Sequence, residues 1–338
     1  MKRLTVAGRL LITALVIGAI FVGYKYFGGQ EALEKVAEKQ KTESDIAATT
    51  TEPAESSETT SGDNEASDTP KQAFRYTAPE PVDGKLKGVV ELGASGFNSF
   101  IIRVDSEKRW KLEKSEFGNS LVTENMATDE DVRIGLKKYI GTMLDFGVGK
   151  KDIHFVVSSG AAKADVTKKI TAALKSLGYV VNQVTAEQEG QLALKSVLPA
   201  DYATKAFVVD IGSGNTKISW IEGSGIKAIE SYGAKYFQDG TDDKKVFDEV
   251  SAKSKQVPAS LRKTAFIIGG VPFEMAKEVR KDKERYTVLS APSDYSKLSN
   301  AKSKAGINIY KAVAESTGCQ QFVFDWDANF TIGFLLTL

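Results

Sequence analysis

The sequence predicts an α/β protein built of two similar halves that close on one cleft. Three observations predict it. One local pattern is written twice: residues 88–98 read GVVELGASGFN and residues 207–216 read FVVDIGSGNT. Each is a β-branched strand running into an acid, then a Gly-rich turn, then a second apolar strand, Phe100–Val104 or Ile218–Ile221. Behind each hairpin comes the same alternation of helix and strand, the pattern of a largely parallel sheet covered by helices. Finally, 338 residues with 42% hydrophobic content suffice for about two domains once a polar N-terminal tail is set aside.

Taken in order, Lys87–Gly93, Asn98–Val104 and Arg109–Lys114 read as a three-strand meander. Thr128-Asp129-Glu130-Asp131 has the form of a capping box opening a helix. Its apolar face is Val132, Leu136, Tyr139, Ile140 and Met143, at helical spacing. Ile153–Ser158 is a strand. Ala164–Leu177 is a helix with Val166, Ile170, Leu174 and Leu177 inward, ended by Gly178. Tyr179–Val184 is a strand, and Glu187–Leu198 a helix stopped by Pro199. Then the pattern restarts. Ala206–Ile211, Thr216–Ile221 and Ile226–Ser231 form a second meander, followed by a polar helix near Asp242–Ser254. Thr264–Ile268 is a strand, Gly269-Gly270 a turn, and Pro272–Arg280 a helix that starts on proline. Lys302–Glu315 is a helix, Gln321–Phe324 a strand, and Phe330–Leu338 an apolar last helix. The halves are expected at 85–199 and 200–338, joined near Pro199–Lys205.

One Cys and one His close off several chemistries. No zinc site can be built from Cys and His, no disulfide can form within the chain, and a Ser-His-Asp triad would need His154 itself. His154 lies in an apolar run and reads as a buried structural residue; Cys319 reads as packing. Net charge is +1 but unevenly spread: residues 1–84 carry 9 basic and 13 acidic side chains, leaving 36 and 31 for the rest. That mild excess tolerates an anionic ligand, and no basic stripe interleaved with aromatics announces nucleic acid.

The first 28 residues read as a membrane anchor. Leu10–Tyr24 carries no charge, and extending back to Leu4 with Arg9 and Lys25 snorkelling brings it to the length of a span. The residues that follow, Tyr24-Lys25-Tyr26-Phe27, offer no small-x-small cleavage site. Lys2, Arg3 and Arg9 before the span favour an N-terminus inside and a globular part outside the cytoplasm. Residues 29–84 read as a polar disordered linker, because Thr42 to about Pro81 holds almost no large apolar residue. A coil of that length reaches roughly 35 Å.

A strand–acid–glycine-turn–strand hairpin suits a phosphate. The glycines let backbone N–H groups converge, and the acid can hold a metal ion or a water beside them. A Gly hairpin alone is more often only a turn; the duplication and the acid before each turn raise it above that.

The order of motifs resembles the exopolyphosphatase/guanosine-pentaphosphate phosphatase (Ppx/GppA) family, over about residues 86 to 338. Glu91-Leu92-Gly93-Ala94-Ser95 stands where that family has Asp-Leu-Gly-Ser-Asn, and Asp210-Ile211-Gly212-Ser213-Gly214-Asn215-Thr216 where it has Asp-Ile-Gly-Gly-Gly-Ser-Thr. Thr185-Ala186-Glu187-Gln188-Glu189-Gly190 stands at Ser-Gly-x-Glu-Glu-Ala, and residues 305–336 at its closing helix–strand–helix. The resemblance implies two actin-like (ribonuclease H-like) domains with a cleft between them, and hydrolysis of terminal phosphoanhydride bonds in polyphosphate or a polyphosphorylated nucleotide. It implies Glu189 as the base that activates water. Gly93, Ser95, Gly212, Ser213, Gly214, Asn215 and Thr216 would cradle phosphate, and Asp210 with Glu91 would hold Mg²⁺.

The sequence also departs from that family. Glu91 is one methylene longer than its Asp. Ser213 replaces a Gly and would be strained at a positive φ. Ala162 stands where the family has a phosphate-gripping Arg, so neighbouring Lys163 is left to supply charge. The family's Arg-Glu pair near the C-terminus is absent from Asp327–Gly333. Three functions follow as expectations: a membrane-tethered phosphatase, a catalytically degenerate sensor for phosphate or nucleotide, or an actin-like scaffold that self-associates, with a homodimer among its forms.

Overall fold

The computed structural model describes residues 74–93, 96–117, 129–162 and 165–338, and in it the duplicated pattern becomes two sheets. β1 (Lys85–Gly93), β2 (Gly96–Val104) and β3 (Trp110–Phe117) form an antiparallel meander. β4 (Ile153–Val157) pairs parallel with β1 on its other side, and β5 (Val181–Gln183) parallel with β4, giving the order β3-β2-β1-β4-β5. β6 (Ala206–Ile211), β7 (Asn215–Glu222) and β8 (Gly225–Tyr232) repeat the meander. β9 (Thr264–Gly269) lies parallel to β6 and β11 (Gln321–Asp325) parallel to β9. The second sheet adds one strand that the hydropathy pattern does not show, β10 (Tyr286–Val288), antiparallel on the β11 edge.

Burial explains which strands are central. β6 is buried along its whole length and β1 from Gly88 to Leu92. Parallel strands covered on both faces need such continuous apolar runs. Each sheet separates two layers, because successive side chains point to opposite faces. On β1, Val90 and Leu92 face outward, onto α1 (Asp129–Asp145) and α2 (Asp165–Ser176), with Leu136, Met143, Ile170 and Leu174. On β6, Phe207, Val209 and Ile211 face α4 (Asp243–Ser254), α5 (Gly270–Val279) and α6 (Ala301–Thr317). The alternate residues Val89 and Val208 face a shared middle layer with Val156, Phe266 and Ile268. It is filled by α3 (Ala186–Val197) and α7 (Phe330–Leu336), through Leu192, Leu194, Val197, Ile332 and Leu335.

Two glycines let these helices fit. A Cβ at Gly190 would stand 2.7 Å from the Ala228 Cβ on β8 and 3.3 Å from the Lys217 Cβ on β7, so α3 lies on the second sheet through a bare backbone. A Cβ at Gly333 would overlap the Leu192 carbonyl, where α7 crosses α3. The last helix also packs on β1 and β2, so the C-terminus returns to the first sheet.

The segment expected to be the end of a disordered linker is packed from Phe74 onward. The Phe74 ring meets Tyr202, Phe266 and Tyr286 at centroid distances of 5.4, 5.6 and 5.4 Å. Glu80 pairs with Lys111 at 3.0 Å, and the Val82 N–H donates to Asp105 at 3.0 Å. Its aromatics, Phe74 and Tyr76, supply the apolar surface that the preceding polar residues lack. Among the described residues no helix is long and apolar enough to cross a membrane. The expected span Leu10–Tyr24 and the linker up to residue 73 lie outside the described residues, as does Thr128 of the expected capping box.

Candidate functional site

The alternation of the strands builds the site. Glu91 shares its side of β1 with Val89, and Asp210 shares its side of β6 with Val208, so both acids point into the middle layer. Each stands one or two residues from the C-terminal end of a central strand, where ligands of open α/β sheets gather. Between them runs α3. Its start is fixed by a capping box: the Thr185 hydroxyl accepts from the Gln188 N–H at 3.2 Å, and the Thr185 N–H donates to the Gln188 side chain at 2.9 Å. The cap sets the first turn so that Glu187 is exposed and Glu189 is 1% exposed, facing the middle layer.

The residue that joins these acids is Lys217 on β7. It is the cross-strand partner of Asp210, and its side chain is only 5% exposed. Its ammonium lies 2.7 Å from Glu189 Oε2 and 3.0 Å from Asp210 Oδ2, and donates to Asn215 Oδ1 at 3.1 Å. Three donors meet three acceptors, which is all an ammonium can give. Burial alone would pull the pKa of Lys217 down, but Asp210 and Glu189 outweigh it and hold the group above the ordinary lysine range. The second Glu189 oxygen, Oε1, accepts from the Ser159 N–H at 2.5 Å, in the turn after β4. Both oxygens of Glu189 are therefore taken, one from each lobe.

Glu91 completes the cluster. Its Oε2 accepts from Asn98 Nδ2 at 3.0 Å and from Asn329 Nδ2 at 3.1 Å. Asn329 caps α7, its Oδ1 accepting from the Thr331 N–H at 2.8 Å. Burial pushes the Glu91 carboxyl up to about 7; the charges of Glu189 and Asp210 add to this, and the two amides oppose it. The cluster thus sets one ammonium, Lys217, against the carboxyl groups of Glu189 and Asp210, with Glu91 beside them.

The structure gathers Glu91, Glu189, Asp210 and Asn215 in one place. Asn215 Nδ2 reaches across to Ser159 Oγ at 2.9 Å and to Glu230 at 2.7 Å. The turn 212–214 sits at the mouth: exposed Gly214 packs on Gly160, where a Cβ would be 3.2 Å from the Gly160 Cα. The Gly212 N–H is spent within the turn, on the Asn215 carbonyl, and the Ser213 carbonyl accepts from the Lys235 N–H. The expected strain at Ser213 is absent, because it does not adopt a positive φ. Gly93 closes β1 at the same end. Thr216 points the other way, with Ile218 and Trp220; it is fully buried and its hydroxyl has no hydrogen-bond partner. Ser95 and Lys163 lie outside the described residues.

A divalent metal does not fit this arrangement. Among the described residues no group of three or more His, Cys, Asp or Glu is disposed to hold a metal ion. Mg²⁺ needs near-octahedral oxygens at about 2.0–2.1 Å. One oxygen of each acid, Asp210 Oδ2 and Glu189 Oε2, already faces the Lys217 ammonium, and Glu189 Oε1 accepts from the Ser159 N–H. The expected Mg²⁺ pair, Asp210 with Glu91, is thus a lysine-bound Asp and an amide-bound Glu.

Lys217 was missed from the sequence, although the hairpin register carried the signal. With the four residues 212–215 between the paired Ile211 and Thr216, Asp210 faces Lys217, and Asn215 shares Lys217's side. Ser159, Asn98 and Asn329 had no such signal.

No family model matches the sequence and no curated protein matches it. Solved structures do. A member of the Ppx/GppA protein family from Aquifex aeolicus is 19% identical with a TM-score of 0.58, over 75% of this chain and 97% of its own. An exopolyphosphatase from Cytophaga hutchinsonii is 15% identical with a TM-score of 0.59, over 75% of this chain and 97% of its own. An exopolyphosphatase-like protein is 14% identical with a TM-score of 0.59, over 76% of this chain and 98% of its own. At these identities the likeness establishes the fold: the α/β, two-sheet architecture of the Ppx/GppA structures. Activity has to be argued from the site.

Proposed function

We propose that this chain recognises polyphosphate or a polyphosphorylated nucleotide between its lobes without hydrolysing it, acting as a sensor or scaffold held at a membrane by its N-terminal segment. The observation that carries the reading is the commitment of Glu189. A general base needs a lone pair facing a water that it can aim. Glu189 is 1% exposed, and its oxygens accept from Ser159 and Lys217. Phosphoryl transfer also needs surplus positive charge around the transferred group. Here one ammonium is shared between two acidic side chains, so the floor of the cleft carries no surplus.

Anion recognition is supported at the rim, beside the floor. The turn 212–214 and the turn at Gly269-Gly270 follow adjacent parallel strands, with Ile211 paired to Gly269. Lys302 Nζ comes within 3.5 Å of where a Gly270 Cβ would stand. Burial and the nearby charge of Lys235 push the Lys302 pKa down. Two cations that repel one another beside glycine turns are relieved by an anion. The uncharged run Leu10–Tyr24 supports the tether.

The test uses the full chain with inorganic tripolyphosphate and guanosine pentaphosphate. The reading predicts a raised melting temperature with either ligand and no phosphate release above background. Release that disappears in Glu189→Gln would overturn it.

A second reading, a phosphatase in which Glu189 activates water, is favoured by the Lys217–Glu189 pair itself. A phosphoryl oxygen that took over the Lys217 ammonium would free Glu189 beside it. Gly93, Ser95, Gly212, Ser213, Gly214, Asn215 and Lys163 would then cradle the phosphate. The same release assay decides between the two. A reporter fused to the C-terminus reads the side of the membrane, with activity outside the cytoplasm expected.

A further inference from the structure

Lys217 is more than a partner in an ion pair. Its stem is enclosed: α3 passes over it at Gly190, whose Cβ would stand 3.3 Å from the Lys217 Cβ and 3.7 Å from its Cγ. Its register opposite Asp210 fixes the backbone, and its three acceptors come from three elements, α3, β6 and β7. A long, flexible side chain held in this way has no room to swing out while α3 stays in place.

From this geometry we infer that Lys217 is the permanent cation of the cleft, occupying the place between Asp210 and Glu189 that a divalent ion would take, so that the protein works without a metal there. Two cations cannot share the same two carboxylate oxygens at 2.7 and 3.0 Å without strong repulsion. Removing the ammonium leaves Asp210 and Glu189 buried and unneutralised, with Glu91 close enough to feel both charges. Asp210 and Glu189 then offer a pair of carboxylates, a set that water can complete around a hard divalent cation. The cleft is therefore a metal site latent in the fold and filled by a side chain. The inference stands on the ion cluster alone and holds whether or not the cleft takes a polyphosphate.

The experiment uses Mn²⁺ as the probe, followed by electron paramagnetic resonance on the full chain without phosphate. Wild type is expected to show no saturable site up to millimolar Mn²⁺. Lys217→Ala is expected to gain one site at least tenfold tighter than any wild-type binding, and to lose it again when Asp210→Asn is added. Lys217→Gln, which keeps most of the stem and removes the charge, should behave as Lys217→Ala. Should either variant be only marginally folded, its melting temperature is read with and without Mn²⁺, and Mn²⁺ should raise it while leaving wild type unchanged. Stoichiometric Mn²⁺ binding by wild type that is lost in Asp210→Asn would overturn the inference. So would Lys217 variants that neither bind Mn²⁺ nor are stabilised by it.

Discussion

Replacing Glu91 by Gln should make the protein more stable at alkaline pH and leave it unchanged in acid. The Glu91 carboxyl is raised from 4.5 to about 7 in the fold. Between those values the folded chain keeps a proton that the unfolded chain has released. Stability from this group is therefore complete below about pH 4.5, falls as pH rises, and is lost above about 7. The shift corresponds to an upper limit of about 3 kcal/mol at 1.36 kcal/mol per unit. A Gln is neutral throughout. Both amide donors, from Asn98 and Asn329, reach one and the same oxygen of Glu91, so the single Gln oxygen can take them both. The assay is urea unfolding of wild type and variant side by side from pH 4 to pH 9, so that all other titrations cancel in the difference. The two should match at pH 4, and the variant should lead by up to about 3 kcal/mol at pH 9. A difference that does not depend on pH, or a variant weaker than wild type at pH 9, would refute the reasoning.

Three other changes test the packing that positions the site. Gly190→Val drives a side chain into Ala228 and the Lys217 stem and should cost about 1–3 kcal/mol in urea unfolding; a neutral result would mean that α3 does not rest on β7 and β8 there. Asn329→Ala removes the cap of α7 and one donor to Glu91. It should cost about 1 kcal/mol and move the Glu91 titration to still higher pH; an unmoved titration would separate α7 from the cluster. Phe74→Ala should cost about 1–2 kcal/mol, because the ring is partly buried against Tyr202, Phe266 and Tyr286; no loss would mean that the segment before β1 does not brace the fold.

Much of this was legible in the chain because long elements announce themselves by period. The two meanders, β4, β9, β11 and the helices α2 to α7 lie within a few residues of their expected places. β10 did not, since three residues carry no periodicity and it exists only by pairing with β11. The docking of Phe74 and Tyr76 was hidden by the polar sequence around them; two aromatics need a partner surface before their burial counts. The acids of the site were legible because each ends a β-branched strand before a glycine turn. Their chemistry was not. Glu189 reads as a base until Lys217 is seen against it, and that contact follows from the hairpin register, not from any motif. The Asn329 bridge to Glu91 spans 238 residues of sequence, and no local pattern foretells it.

The most direct test of the account is a double-mutant cycle on Lys217→Met and Glu189→Gln, read by urea unfolding at pH 7. Breaking a buried pair from one side leaves an uncompensated charge and costs about 3–5 kcal/mol. The account predicts that Lys217→Met is costly alone, that the double variant recovers part of the loss, and that the coupling is at least about 1.5 kcal/mol. Single losses that simply add, within about 0.5 kcal/mol, would contradict it.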